Sequence, residues 1–353
     1  MRLSIIALLA AGCGRIGFDP LGALGDDTTE VLPLTPVPLA EIASVTCIDV
    51  VWTGQDLGVF WTNALDNRLH FARVALDGSI LVPERLLAAV DPSCPSVIWT
   101  GTSYAVVWHA NGSDVVLGLV DTAGAQTAEV TVATGGTSQA TIGWDGSVIG
   151  VSFIDLARSS RFRAFAANGS SLGSVVGLTT DDFLARISGR PTGGFAYVHA
   201  PQSRAEYVEL DQAGSPTTAP LFVCDRLGVR ALANGPARFA AVYEGNDFEA
   251  TVRTGTSALA NPPVLLSPGD VILADMVPVS DGFALVWIDD TTGESNRGEL
   301  RFTRIDASGT PSTPIYRLAD FSIGAAVAAI DDTTFAVAFE DTSNPLVAVF
   351  QVP

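Results

Sequence analysis

Apolar residues alternate along this chain with a period of two, and the alternation restarts at intervals of 44 to 52 residues. "VVWTGQDLGVFW" (Val50 to Trp61) is nearly repeated as "VIWTGTSYAVVW" (Val97 to Trp108). With Trp61 as an anchor, the pattern recurs at Trp108, Phe153, His199, Tyr243, Trp287 and Phe339. Four residues before each anchor stand Leu57, Tyr104, Ile149, Phe195, Phe239, Phe283 and Phe335, all bulky. Three before it stand Gly58, Ala105, Gly150, Ala196, Ala240, Ala284 and Ala336, all small. Successive strand residues point to opposite faces, so one face is large and the other small. A strand packed between two neighbouring sheets has this pattern, whereas a half-exposed strand carries polar residues on its outer face.

Each anchor but the last is followed by another strand and a glycine turn, as in "LDGS" (Leu76 to Ser79), "DTAGA" (Asp121 to Ala125) and "DASGT" (Asp306 to Thr310). Repeats of this length are four-stranded propeller blades, since no single repeat buries both of its faces. The fold expected is all-β, a seven-bladed β-propeller of four-stranded blades. The chain stops 14 residues after Phe339, which leaves the last blade without an outermost strand. "TTEVLPLTPVPLA" (Thr28 to Ala40) is expected to supply it, because its prolines suit a strand with one free edge. The ring then closes with an N-terminal strand completing the last blade.

Composition narrows the chemistry. Among 353 residues, 38 acids face 19 bases, and every base is arginine. Without lysine there is no lysine Schiff base and no P-loop lysine. The net charge of −19 excludes nucleic acid as a partner and leaves cations, basic proteins or neutral glycans. In "MRLSIIALLAAGC" one arginine precedes an apolar run from Leu3 to Ala11, too short to cross a bilayer and suited to a secretory signal.

The stretch "LLAAGC" resembles a bacterial lipobox, which implies cleavage before Cys13 and acylation of that residue. Gly14, in place of an aspartate, makes the resemblance point to the outer membrane. The division expected is a lipoprotein signal peptide over 1–12, a lipid-anchored flexible tether over 13–27 and the propeller over 28–353. The phrases "WTGTSYAVVW", "WDGSVIGVSF" (Trp144 to Phe153) and "SDGFALVW" (Ser280 to Trp287) resemble the tryptophan-rich repeats of propeller lipoproteins from myxobacterial-type bacteria. That resemblance implies a scaffold and an envelope location, without a shared catalytic motif.

Other motifs fall to context. "GCGRIG" (Gly12 to Gly17) matches a dinucleotide fingerprint but follows no strand, and "GSSLG" (Gly169 to Gly173) matches a nucleophile elbow but sits in a repeated hairpin turn. His70, His109 and His199 lie in different repeats without zinc-ligand spacing. His199 takes an anchor position and is expected in the core. His109 follows an anchor and is kept as a site candidate. Cys47 and Cys94 each stand five residues before an equivalent tryptophan, so a disulfide between adjacent blades is a candidate pairing, with Cys224 left over.

The loops joining second to third strands open on one face. They carry His109, Asp114, Asp247, Asp289, Asp290, Glu294 and Asp341, the candidate ligand site. Such loops can hold Ca2+ or meet a basic partner, although ordinary solvated loops have the same composition. No cofactor is required by the sequence. The function expected is a non-enzymatic binding or scaffold module for a protein or glycan at the cell envelope, monomeric, touching the membrane through its lipid anchor only. The alternative is a glycan hydrolase or lyase using loop-face carboxylates, with Asp289, Asp290 and Glu294 first among them.

Overall fold

The structure, a computed structural model, describes residues 30–41, 44–87, 94–180, 182–201, 204–224, 228–235, 238–244, 248–254, 264–267, 271–290, 298–341 and 344–352. Every regular element among them is a strand, and the strands fall into seven sheets, each with an antiparallel core read outward in chain order. The first contains Val45–Trp52, Leu57–Asn63, Arg68–Val74 and Ile80–Leu86, and the second contains Ser96–Trp99, Tyr104–Ala110, Asp114–Val120 and Gln126–Ala133. Their innermost strands touch, as do those of each following pair, and Ala325–Ala329 of the last touches Val45–Trp52 of the first. The protein is an all-β propeller with four-stranded blades.

The large-and-small alternation builds the interfaces between blades. Gly58 faces Tyr104 of the next sheet so closely that a Cβ would lie 2.3 Å from the ring, and at Gly150 a Cβ would lie 2.6 Å from Phe195. Ala105 shares a buried cluster with Ile149, Ala196 with Phe239, Ala240 with Phe283, Ala284 with Phe335 and Ala336 with Leu57. Every small position thus falls in the same interface as the bulky residue of the following blade. The seven bulky residues are fully or almost fully buried. At about 25 cal/mol per Å2 of apolar surface removed from water, these interlocked layers are the main stabilising term.

Turn chemistry follows the aspartates. Asp121 Oδ1 accepts the N–H groups of Ala123 and Ala125 at 2.9 Å, and Asp211 and Asp306 cap their own turns in the same way. Gly124 (φ 82°) has the positive φ that the turn needs and packs against Phe71 of the preceding blade.

The N-terminal segment departs from expectation. Instead of one strand over Thr28 to Ala40 it forms two short ones on different sheets. Val37–Pro38 pairs antiparallel with Asn344–Gln351 as outermost strand of the last sheet. Glu30–Val31 pairs parallel with Tyr316–Ser322 and adds a fifth strand to the sixth sheet. Pro33, Pro36 and Pro38 have no N–H to donate, and the flanking Leu32 and Leu39 donate instead, to the carbonyls of Arg317 and Pro345.

Candidate functional site

Strand direction places the second-to-third loops and the start of each innermost strand on one face, and the glycine turns on the other. His109 is the penultimate residue of the strand Tyr104–Ala110 and is buried, not a loop residue. Burial lowers its pKa, so the imidazole is neutral at neutral pH. Asp114 opens the next strand, opposite Ala110 across a turn in which Asn111 and Gly112 have positive φ. Asp289 is also buried, with Oδ2 3.0 Å from Nη1 of Arg301, which in turn holds Glu299. Asp290 is half-buried and Asp341 exposed. Asp247 and Glu294 lie outside the described residues, as does Cys13. The described candidates therefore stand on the second, sixth and seventh sheets, and Asp289 is committed to an arginine. Among the described residues no group of three or more His, Cys, Asp or Glu side chains is placed to hold a metal ion.

Cys47 and Cys94 are joined as a disulfide with their Cα atoms 5.1 Å apart, linking the first two blades near this face. The side chain of Cys224 is outside the described set.

Three polar constellations were not expected from the motifs. Between the third and fourth sheets, Asp182 is fully buried and accepts the hydroxyls of Ser160 and Thr179. Its other oxygen lies 3.6 Å from Nδ1 of His199, whose Nε2 is 3.9 Å from Glu206. His199 is buried and stacked on Tyr197, as expected of an anchor. The serine hydroxyl points at the carboxylate and not at the imidazole, so the trio lacks the nucleophile-to-base contact of a hydrolytic triad.

On the first blade His70 stacks on Trp61, with Nδ1 2.7 Å from Glu84 and Nε2 3.1 Å from Asp66. The third constellation lines the ring's centre. Asp49 and Asp275 stand on innermost strands of the first and sixth sheets, and Arg186 on that of the fourth. Burial pushes the Asp275 carboxyl up to about 6, opposed by backbone hydrogen bonds and by Arg186. Burial, and then the charge of Asp275, raises Asp49 well above the usual carboxylate range. Asp49 and Asp275 each stand twelve residues before their anchors, as do Ser96 and Thr141, so the repeat alignment alone marks this tier.

The opposite, glycine-turn face has an open depression of about 560 Å3 lined by Arg190, Gly193, Gly194, Gln212 and Thr217. Arg190 is held by Glu209 at 3.0 Å, and Gln212 bridges to Asp145 and Ser147 of the preceding blade.

No protein-family model matches the sequence. No curated protein matches it either. Solved structures do resemble the fold. A crystal structure of the BP39L lectin from Burkholderia pseudomallei superposes with a TM-score of 0.68 at 12% identity, over 88% of this chain and 97% of the lectin. BBS1N, crystallised in complex with ARL6DN, gives 0.60 at 12% identity over 92% and 97%. The Hadza microbial sialidase Hz136 gives 0.54 at 12% identity over 88% of this chain and 66% of that one. At such identities the likeness is one of fold.

Proposed function

We propose that this protein is a non-enzymatic binding or scaffold module: a seven-bladed propeller that presents its second-to-third loop face to a protein or glycan. The observation that carries this reading is the state of the carboxylates near that face. Asp289 is paired with Arg301 inside its own blade, and Asp182 is filled by two hydroxyls of the preceding blade, so each is engaged in structural contacts. The accessible polar groups, Asp114, Asp290 and Asp341, are spread over separate blades, which suits a broad contact surface. The resemblance to a lectin and to BBS1N, over nearly the full length of each, supports a recognition role for the scaffold. In this reading Cys13 carries the lipid anchor, residues 14–27 form the tether, and the outer membrane is the site of action.

A second reading, a glycan-active enzyme, is favoured by one observation: the two channel carboxyls Asp49 and Asp275 are held at raised pKa, as general acids are. Cross-linking in intact producing cells, with Cys13→Ser as the unanchored control, tests the first reading. A specific partner recovered with the anchored form, and weakened in the Asp114→Ala/Asp341→Ala double variant, supports it. Polysaccharide turnover abolished by Asp275→Asn would replace it with the second.

A further inference from the structure

Nine residues before their anchors stand Trp52, Trp99 and Trp144, on the first, second and third blades, and Arg190 takes that place on the fourth. Each tryptophan is the last residue of an innermost strand, so the three stand on neighbouring strands where the channel opens on the glycine-turn face. The chain's other tryptophans, Trp61, Trp108 and Trp287, have indole nitrogens sealed from solvent. Those at the channel mouth are half-buried. Among the described residues nothing accepts their indole N–H groups, and none of these nitrogens is sealed.

One kind of hairpin holds all three. The residue after each tryptophan closes the turn: the N–H of Thr53 donates to the Asp56 carbonyl at 2.9 Å, that of Thr100 to Ser103 at 3.0 Å, and that of Asp145 to Val148 at 3.3 Å. Gly54, Gly101 and Gly146 follow with φ of 93°, 94° and 95°. A Cβ at any of them would meet no atom within 4 Å, so the space over these turns is open. Beneath, Trp52 packs on the cluster between the seventh and first blades, Trp99 on that between the first and second, and Trp144 on that between the second and third. Each indole is thus fixed on one side and wet on the other.

The arc continues into the depression of about 560 Å3 lined by Arg190, Gln212 and Thr217. Gln212 joins the two, because its Nε2 donates to Asp145 Oδ2 and to Ser147 Oγ, both at 2.8 Å, in the hairpin that follows Trp144. Arg190 is held in place by Glu209 at 3.0 Å.

We propose that this arc is a glycan-binding site whose ligand is a neutral hexopyranose chain, stacked on Trp52, Trp99 and Trp144 and met beyond them by Arg190 and Gln212. A pyranose ring has an apolar C–H face and a polar edge, and a half-wet indole offers a ring to the first and an N–H donor to the second. The net charge of −19 turns away acidic polysaccharides and nucleic acid. The site lies on the face opposite Asp114 and Asp341, so it stands or falls independently of the loop-face reading.

Native gel electrophoresis with a polysaccharide dissolved in the gel measures binding by the whole protein. With hydroxyethylcellulose, laminarin, galactomannan and dextran as separate probes, at least one should retard migration. Trp99→Ala and Trp144→Ala should each weaken that binding about tenfold, as removal of a hot-spot aromatic does. Leu65→Ala, on the other face, should leave it unchanged. Should the tryptophan variants fail to fold, the indole N–H signals of the wild-type protein decide. Three should exchange readily with water, and oligosaccharides of the retarding polymer should shift those three and leave the sealed three in place. Retardation by none of the four polymers, or retardation with the open indoles unmoved, would overturn the proposal. Shifts of the same indoles by poly-L-proline alone would overturn it equally, by making the arc a peptide groove.

Discussion

At the residue scale, the interlock of small and bulky side chains decides which neighbours a blade accepts. Tyr104 is enclosed by Phe60, Phe71 and Trp99, at ring distances of 5.4, 5.3 and 4.9 Å, so it has little freedom to retreat from a group added at Gly58. Gly58→Ala is therefore expected to destabilise by about 1–3 kcal/mol through overpacking, seen as a lower urea midpoint at unchanged slope. Leu65→Ala, at a loop position 65% exposed, is the control and should change stability by about 0.5 kcal/mol or less. The small positions were legible in the sequence because size and period repeat seven times. The Asp182 cluster was not, because its members come from two blades at positions with no repeated counterpart.

At the scale of elements, the ring depends on a strand two residues long. Val37–Pro38 covers the edge of Asn344–Gln351, and Val37 also reaches Gly78 in the first blade. A chain beginning at Glu30 should melt like the full-length protein. One beginning at Ala40 should melt several degrees lower and expose the last strand to proteolysis, which limited digestion would reveal. That an N-terminal strand completes the last sheet could be anticipated from the missing fourth strand. Its division in two could not, because the position of each proline relative to a ladder bond depends on a register set in three dimensions. The disulfide closes a loop between positions 47 residues apart, so Cys47→Ser/Cys94→Ser should cost about 2–4 kcal/mol by the chain-entropy relation. Thermal denaturation under non-reducing conditions measures it. A negligible loss would mean that the hydrogen bond from the Val97 N–H to Asp49 and the packing around Tyr104 hold this seam alone.

At the scale of the molecule, aspartates act with opposite sign on its two faces and its axis. Among the described residues, the loop-face carboxylates singled out from the sequence do not assemble into one cluster, since loop convergence leaves no period to read. The channel acids do leave one, twelve residues before the anchors, but their coupling is visible only once the ring is closed. On the turn face, hydrogen bonds hold Asp77, Asp331 and Asp332 below the usual carboxylate range, from Ser79, Thr333 and Ser280 respectively. Their contribution is present above the unfolded-state value and is lost as pH falls through the native one. Asp275 and Asp49 behave inversely, so stability falls again as pH rises towards about 6. Melting temperature should accordingly pass through a maximum near about pH 4–5, with an acid limb from the turns and a neutral limb from the channel. The net charge of −19 adds self-repulsion to the neutral limb, but exposed charges are screened by salt more fully than the half-buried channel pair. Melting scans with and without added salt separate the two. If the neutral limb vanishes in salt, it belongs to the surface. If it persists in salt and disappears in Asp275→Asn while the acid limb remains, it belongs to the channel.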